Sequence, residues 1–299
     1  MLNVDLLRYL FIFLIGSAFG SFFNVYIFRK EKGENYLKGR SKCPFCQKEL
    51  LFWQLIPFFS FFLLKGRCYF CQKKISWQYP LVEFLTGLLF CFAFWRFSRF
   101  SFFPLIFSNF YLENFLIILN FLFWVYWISV LMIISFYDLR NYLILFEVIY
   151  PAILISLFWR IAEGLFIYFL KFDFLFFMNQ PLKEMSFLFG NFSYFASLIY
   201  GVIFPTAILF LIVFLSKEKA MGWGDVILAL FLGIILGWPM ILIALILSFL
   251  SGGLISLILV ALKKKNFKNY LPFGPFLSFS GLAVLLFGDI LIKSYLSLI

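Results

Sequence analysis

Tyr9–Phe28, YLFIFLIGSAFGSFFNVYIF, is an uncharged run of 20 residues. A helix crossing the hydrocarbon core of a bilayer needs roughly 20 predominantly apolar residues. Asp5 and Arg8 precede the run, so there is no basic leader ahead of it. It reads as a first transmembrane span, about 6–28, and not as a cleaved signal peptide, whose apolar core is shorter. Further spans follow at about 80–97, 113–136, 142–160, 193–215, 225–240, 241–262 and 273–296. The stretch 161–190 is apolar but interrupted by Glu163, Lys171, Asp173, Lys183 and Glu184. It reads as an interfacial excursion, with a full span as the alternative. The expected fold is an all-α polytopic membrane protein of about eight transmembrane helices. A polar loop of four cysteines lies between the first two.

Composition points the same way. Of 299 residues, 64% are apolar and 13% charged, where soluble domains have about 45–50% and about 25%. Mean hydropathy is +1.02. The 49 Phe residues suit lipid-facing positions and suggest no chemistry. With the N-terminus outside, the cytoplasmic segments are 29–78, 137–141, 216–224 and 263–272. They hold 11, 1, 2 and 4 basic residues, 18 of the 25 Lys and Arg. The positive-inside rule favours this orientation. A ninth span at 161–178 would turn the Lys263–Lys268 cluster outward. The net charge of +11 therefore reads as orientation on a bilayer, with no nucleic-acid partner expected. Gly16 and Gly20 form a GxxxG, a helix-packing signal.

The chain has no His. That excludes Ser-His-Asp and Cys-His nucleophilic systems, HExxH zinc proteases and His-ligated haem. Acid–base chemistry falls to carboxylates, which are costly within a membrane and there mark functional candidates. Asp289 is explained by solvation near a span end, and Glu147 by function or snorkelling. Glu83 sits in the first turn of a span, where the helix dipole favours an anion. Asp138, in Phe136-Tyr137-Asp138-Leu139, ends the third span. Asp225, in Gly222-Trp223-Gly224-Asp225, starts the sixth. Singly, Asp138 reads as a solvated helix end and Asp225 as an N-cap. The expected topology instead places both at cytoplasmic helix ends at similar depth. Two carboxylates brought together share a proton, and such a pair can activate water and protonate a carbonyl.

Cys43-Pro-Phe-Cys46 and Cys68-Tyr-Phe-Cys71 form two CxxC knuckles. Together they can offer four thiolates to one Zn²⁺ in a closed, structural site. Neighbouring lysines favour the thiolate form. Disulfides are the competing reading and are rare in the cytoplasm. Cys91, within a span, reads as a core residue.

These motifs resemble those of the type IV prepilin peptidases, a family of GxGD-type membrane aspartyl proteases. The resemblance runs through most of the chain. It includes Gly20-Ser-Phe-Phe-Asn24-Val-Tyr-Ile-Phe-Arg29, both CxxC pairs, Ile56-Pro57, Gly66-Arg67-Cys68, and Ile75-Ser76 with Tyr79-Pro80-Leu81-Val82-Glu83. It continues in the two Asp motifs and ends in Pro272-Phe273-Gly274-Pro275-Phe276. It implies that Asp138 and Asp225 are the catalytic dyad, supported by Gly222, Gly224, Glu83, Pro272, Gly274 and Pro275. It also implies prepilin or pseudopilin substrates, cut after a short basic leader at the cytoplasmic face of the bacterial inner membrane. Residues 1–100 would then form a methyltransferase part using S-adenosylmethionine, and 101–299 the peptidase domain. Three positions depart from the pattern: Ile227 replaces a Lys, Leu145 a Pro, and Gln54 a carboxylate or Asn. The competing function classes are a proton- or ion-coupled transporter and a silent assembly protein. The transporter reading lacks paired halves with matching broken helices.

Overall fold

The computed structural model describes residues 2–35, 39–98, 110–170, 194–263 and 271–297. Its elements are α1 (Leu2–Glu31), a 3₁₀ turn (Phe52–Leu55), α2 (Phe59–Leu63), α3 (Gln78–Ser98), α4 (Phe110–Asn141) and α5 (Phe146–Leu170). Then come α6 (Tyr194–Ser216), α7 (Trp223–Leu236), α8 (Met240–Ala261) and α9 (Gly274–Leu296). Among the described residues, six helices are long and apolar enough to cross a membrane, and α7 and the Gly274–Gly288 part of α9 are shorter apolar helices. Each of the eight expected spans thus has a helix. Among the described residues there are only isolated β-bridges, at Lys42–Glu49 and Arg67–Lys74.

One boundary is corrected. The fourth span does not stop at 160, because α5 continues to Leu170. Glu163 lies inside it, 5% exposed, and not in an interfacial excursion. Lys38, Lys171, Asp173, Lys183, Glu184, Lys264, Lys265 and Lys268 lie outside the described residues, as does the side chain of Asp289.

The chain divides into two compact units, Met1–Ile133 and Ile134–Ile299. The boundary read from sequence, at 100, falls in 99–109, outside the described residues. In the first unit, α1 packs on α3 through its small residues. A Cβ on Gly16 would come 2.9 Å from Gly87 Cα, and one on Gly20 would come 2.7 Å from Glu83 Cα. Backbones approach this closely only where side chains are absent. Asn24 Nδ2 donates to the Tyr79 carbonyl across the same seam at 3.1 Å.

In the second unit, the short α7 packs against α5, α6 and α9, with Val226, Leu228, Ala229, Phe231, Leu232, Ile234 and Ile235 buried. Its C-terminal carbonyls have no intrahelical donors, and within a bilayer such groups must be paired by protein. Arg160 of α5 supplies a donor: its Nε reaches the Ile234 carbonyl at 3.2 Å. Glu163 balances the guanidinium at 2.8 Å. The Tyr194 hydroxyl of α6 donates to Glu163 Oε2 at 2.7 Å. Beyond α7, the Trp238 N–H donates to the Ser197 carbonyl at 2.9 Å, and Ser197 Oγ donates to the Trp238 carbonyl at 2.6 Å. One end of α7 is thereby fixed, and the other carries Asp225.

Candidate active site and metal centre

Asp138 and Asp225 both belong to the second unit. Asp138 stands in the last turn of α4, 5% exposed, and Asp225 in the first turn of α7, 9% exposed. They are close enough for the Asp138 charge to act directly on Asp225. Gly222 N–H donates to Asp225 Oδ2 at 3.3 Å, the return half of a capping interaction. Gly224 keeps the next turn open: a Cβ there would lie 3.0 Å from Ile144 Cβ.

The start of α9 completes the arrangement. The Gly274 N–H donates to the Asp138 carboxylate. A Cβ on Gly274 would lie 2.5 Å from Asp138 Oδ2 and 3.6 Å from Ile144 Cδ1. Ile144 therefore sits beside both glycines, between the helix ends that carry the two motifs. Pro272, Gly274 and Pro275 are buried at this end of α9. Ile227 is half-buried in α7, and Leu145 is buried. Sequence reading did not single out Ile144 as a spacer; its place one residue from the Leu145 departure was the available signal.

Glu83, Gln54 and the cysteines belong to the first unit. Glu83 joins three segments there: its Oε2 accepts the Phe58 N–H at 2.7 Å, and the Ser21 hydroxyl of α1 also bonds to it. Gln54 is buried, with Oε1 accepting the Leu51 N–H at 2.9 Å.

The Sγ atoms of Cys43, Cys46, Cys68 and Cys71 all lie within 4.8 Å of one another. The Cys43 and Cys71 sulfurs are 3.9 Å apart. Thiolates about 2.3 Å from a tetrahedral metal are separated by about 3.8 Å, so the cluster fits one such ion. The knuckles are copies of each other. Cys43 N–H donates to the Lys48 carbonyl and Gln47 N–H to Cys43; Cys68 N–H donates to the Lys73 carbonyl and Gln72 N–H to Cys68. They also interlock. Lys48 Nζ lies 5.1 Å from the Phe70 ring centroid, and Lys73 Nζ lies 5.0 Å from that of Phe45. Burial pushes the Cys43 thiol up to about 11. At Cys68 burial acts in the same direction, but donors from Cys71 and Phe70 and the neighbouring thiols outweigh it and bring the thiol down to about 7. Cys91 is half-buried and contacts the Tyr9 carbonyl at 3.4 Å.

A cavity of about 390 Å³ opens in the first unit. One face of α1 (Ala18, Ser21, Phe22, Val25, Arg29) lines it, opposite Gly39, Ser41, Leu55 and Pro57. Arg29 donates to the carbonyls of Asn35, Gly39 and Arg40 at 3.0–3.3 Å.

The fold and site define a polytopic helical membrane protein with paired aspartates at helix ends and a metal-type cluster of four cysteines. The Bacterial Peptidase A24 N-terminal domain matches residues 14–97, and the Type IV leader peptidase family matches residues 124–257. Both parts of the chain are thus similar to peptidase A24 proteins. It is 28% identical to the "Prepilin leader peptidase/N-methyltransferase" of Legionella pneumophila, over 99% of this chain and 97% of the relative. A protein of the same name from Bacillus subtilis is 28% identical over 96% and 97%. One from Myxococcus xanthus is 45% identical over a shorter part, 27% and 24%. No solved structure matches the chain.

Proposed function

We propose that this protein is a membrane aspartic endopeptidase that removes the short leader of prepilins or pseudopilins and N-methylates the residue so exposed. The observation that carries the peptidase reading is the juxtaposition of Asp138 and Asp225, with the Gly274 N–H on the Asp138 carboxylate. Two neighbouring carboxyls hold a single proton between them. The ionised member takes a proton from water as the water oxygen bonds to the scissile carbonyl carbon. The protonated member donates to the carbonyl oxygen. Breaking the C–N bond then passes a proton to the leaving amine and restores the pair. Neither a metal nor His takes part. Pro272 and Pro275 lack N–H groups, so carbonyls in their neighbourhood would stay free to accept from the N–H groups of an extended peptide.

The positive-inside distribution supports a cytoplasmic face for the dyad. A pilin's apolar helix would lie in the bilayer and its basic leader in the cytoplasm. In this reading residues 101–299 carry the peptidase and 1–100 the methyl transfer. Zn²⁺ suits the four thiolates and, with no open position, would hold the knuckles together without entering the reaction. S-adenosylmethionine, when bound, supplies a sulfonium methyl group. The cavity beside α1, apolar with a cation and two hydroxyls, is of the size and character that hold small ligands.

Asp138→Ala and Asp225→Ala, each co-expressed with a prepilin, should leave the full-length precursor accumulating. Normal processing by either variant would overturn the reading. Mass spectrometry of the mature N-terminus tests methylation separately.

A further inference from the structure

The cavity beside α1 is an open groove bounded by the segments on either side of the first cysteine knuckle, and its walls differ in character from end to end. Arg29, 9% exposed, places a fixed positive charge at one end, beside Gly39 and Ser41. Two turns back along α1, about 12 Å at 1.5 Å per residue, Ser21 marks the other end. Its hydroxyl proton is committed to the Glu83 carboxylate, which leaves its oxygen to accept a bond. Phe22, Val25, Leu55 and Pro57 make the stretch between them apolar.

We propose that this cavity is the S-adenosylmethionine site. The inference rests on the methyltransferase half of the function proposed above. The amino-acid carboxylate belongs at the Arg29 and Ser41 end. The adenosine lies along Phe22, Val25, Leu55 and Pro57, and Ser21 is within reach of a sugar hydroxyl. Glu83 acts here as a positioning residue, because it fixes the Ser21 hydroxyl and, through the Phe58 N–H, the segment that carries Pro57.

The test is binding of S-adenosylhomocysteine, the demethylated product, to the purified full chain by calorimetry. It requires no turnover. Val25→Trp fills the apolar middle and should weaken binding by at least about tenfold, a loss of about 1.4 kcal/mol, while zinc content stays at the wild-type value. Ultraviolet cross-linking of labelled S-adenosylmethionine to the unmodified chain should mark peptides from 18–29 or 39–57. Unchanged affinity in Val25→Trp, or label confined to 134–299, overturns the assignment of the cavity and leaves methylation standing. No binding by the unmodified chain overturns both. If Val25→Trp loses its zinc, the cross-linking result decides alone.

Discussion

Gly274 gives its backbone N–H to the Asp138 carboxylate, and the same Cα has no room for a methyl group on the side facing it. The two residues come from the end of α4 and the start of α9, so this contact sets where α9 begins relative to the acid. Gly274→Ala should displace Asp138 while leaving the helices intact. Misplacement of a reacting group by about 1 Å costs on the order of 100-fold. Prepilin cleavage should fall by about that factor at unchanged circular dichroism, and near-normal cleavage would show that the contact is dispensable.

Ile144 links the two glycines. A methyl on Gly224 would press on Ile144 Cβ at 3.0 Å, so Gly224→Ala should impair cleavage. Truncating the neighbour makes space, and the double variant Gly224→Ala/Ile144→Ala should recover part of the loss. Coupled neighbours typically show interaction energies of about 0.5–3 kcal/mol. Additive losses in a double-mutant cycle would mean that Gly224 matters for another reason.

The cysteine cluster makes a stoichiometric prediction. Metal analysis of the purified protein should find one zinc per chain, and Cys43→Ser should lose it. Phe70→Leu removes the ring under Lys48, worth about 0.5–1 kcal/mol at an exposed site. That variant should keep its zinc but release it to a competing chelator sooner than the parent.

Arg160 and Glu163 are a buried pair, with side chains 4% and 3% exposed. Arg160→Met strands the Glu163 charge and removes the donor to Ile234. Breaking such a pair from one side costs about 3–5 kcal/mol, and thermal unfolding in detergent should register it as a clear drop in Tm. Arg160→Met/Glu163→Met removes both charges and should be more stable than the single variant. A double variant no better than the single would place the effect in the Ile234 contact.

The spans were legible because uncharged runs of bilayer length have few other uses. Asp138 and Asp225 were legible as a pair because topology placed them at similar depth. Glu163 was misread because a carboxylate in an apolar stretch normally marks an interface. Arg160 three residues earlier neutralises it on the same helix face, and Tyr194 adds the partner that no local window can show. The role of Ile144 was also invisible, since it depends on two glycines from distant parts of the chain. The pairing of each knuckle's lysine with the other knuckle's phenylalanine was present in the matching Phe-Cys-Gln-Lys strings at 45–48 and 70–73, but became evident only in three dimensions.

The length of α7 has a consequence for the setting of the reaction. Its 14 residues extend about 21 Å, whereas the hydrocarbon layer is about 30 Å thick. A helix of that length cannot reach both surfaces of the layer, and a first turn lying in a recess would be short of water. Peptide bonds that unwind in such a recess have few waters to bond to, and unpaired backbone there costs several kcal/mol per group. Thinner lipids should then raise the rate of prepilin cleavage, and an unchanged rate would show that the first turn of α7 is not recessed.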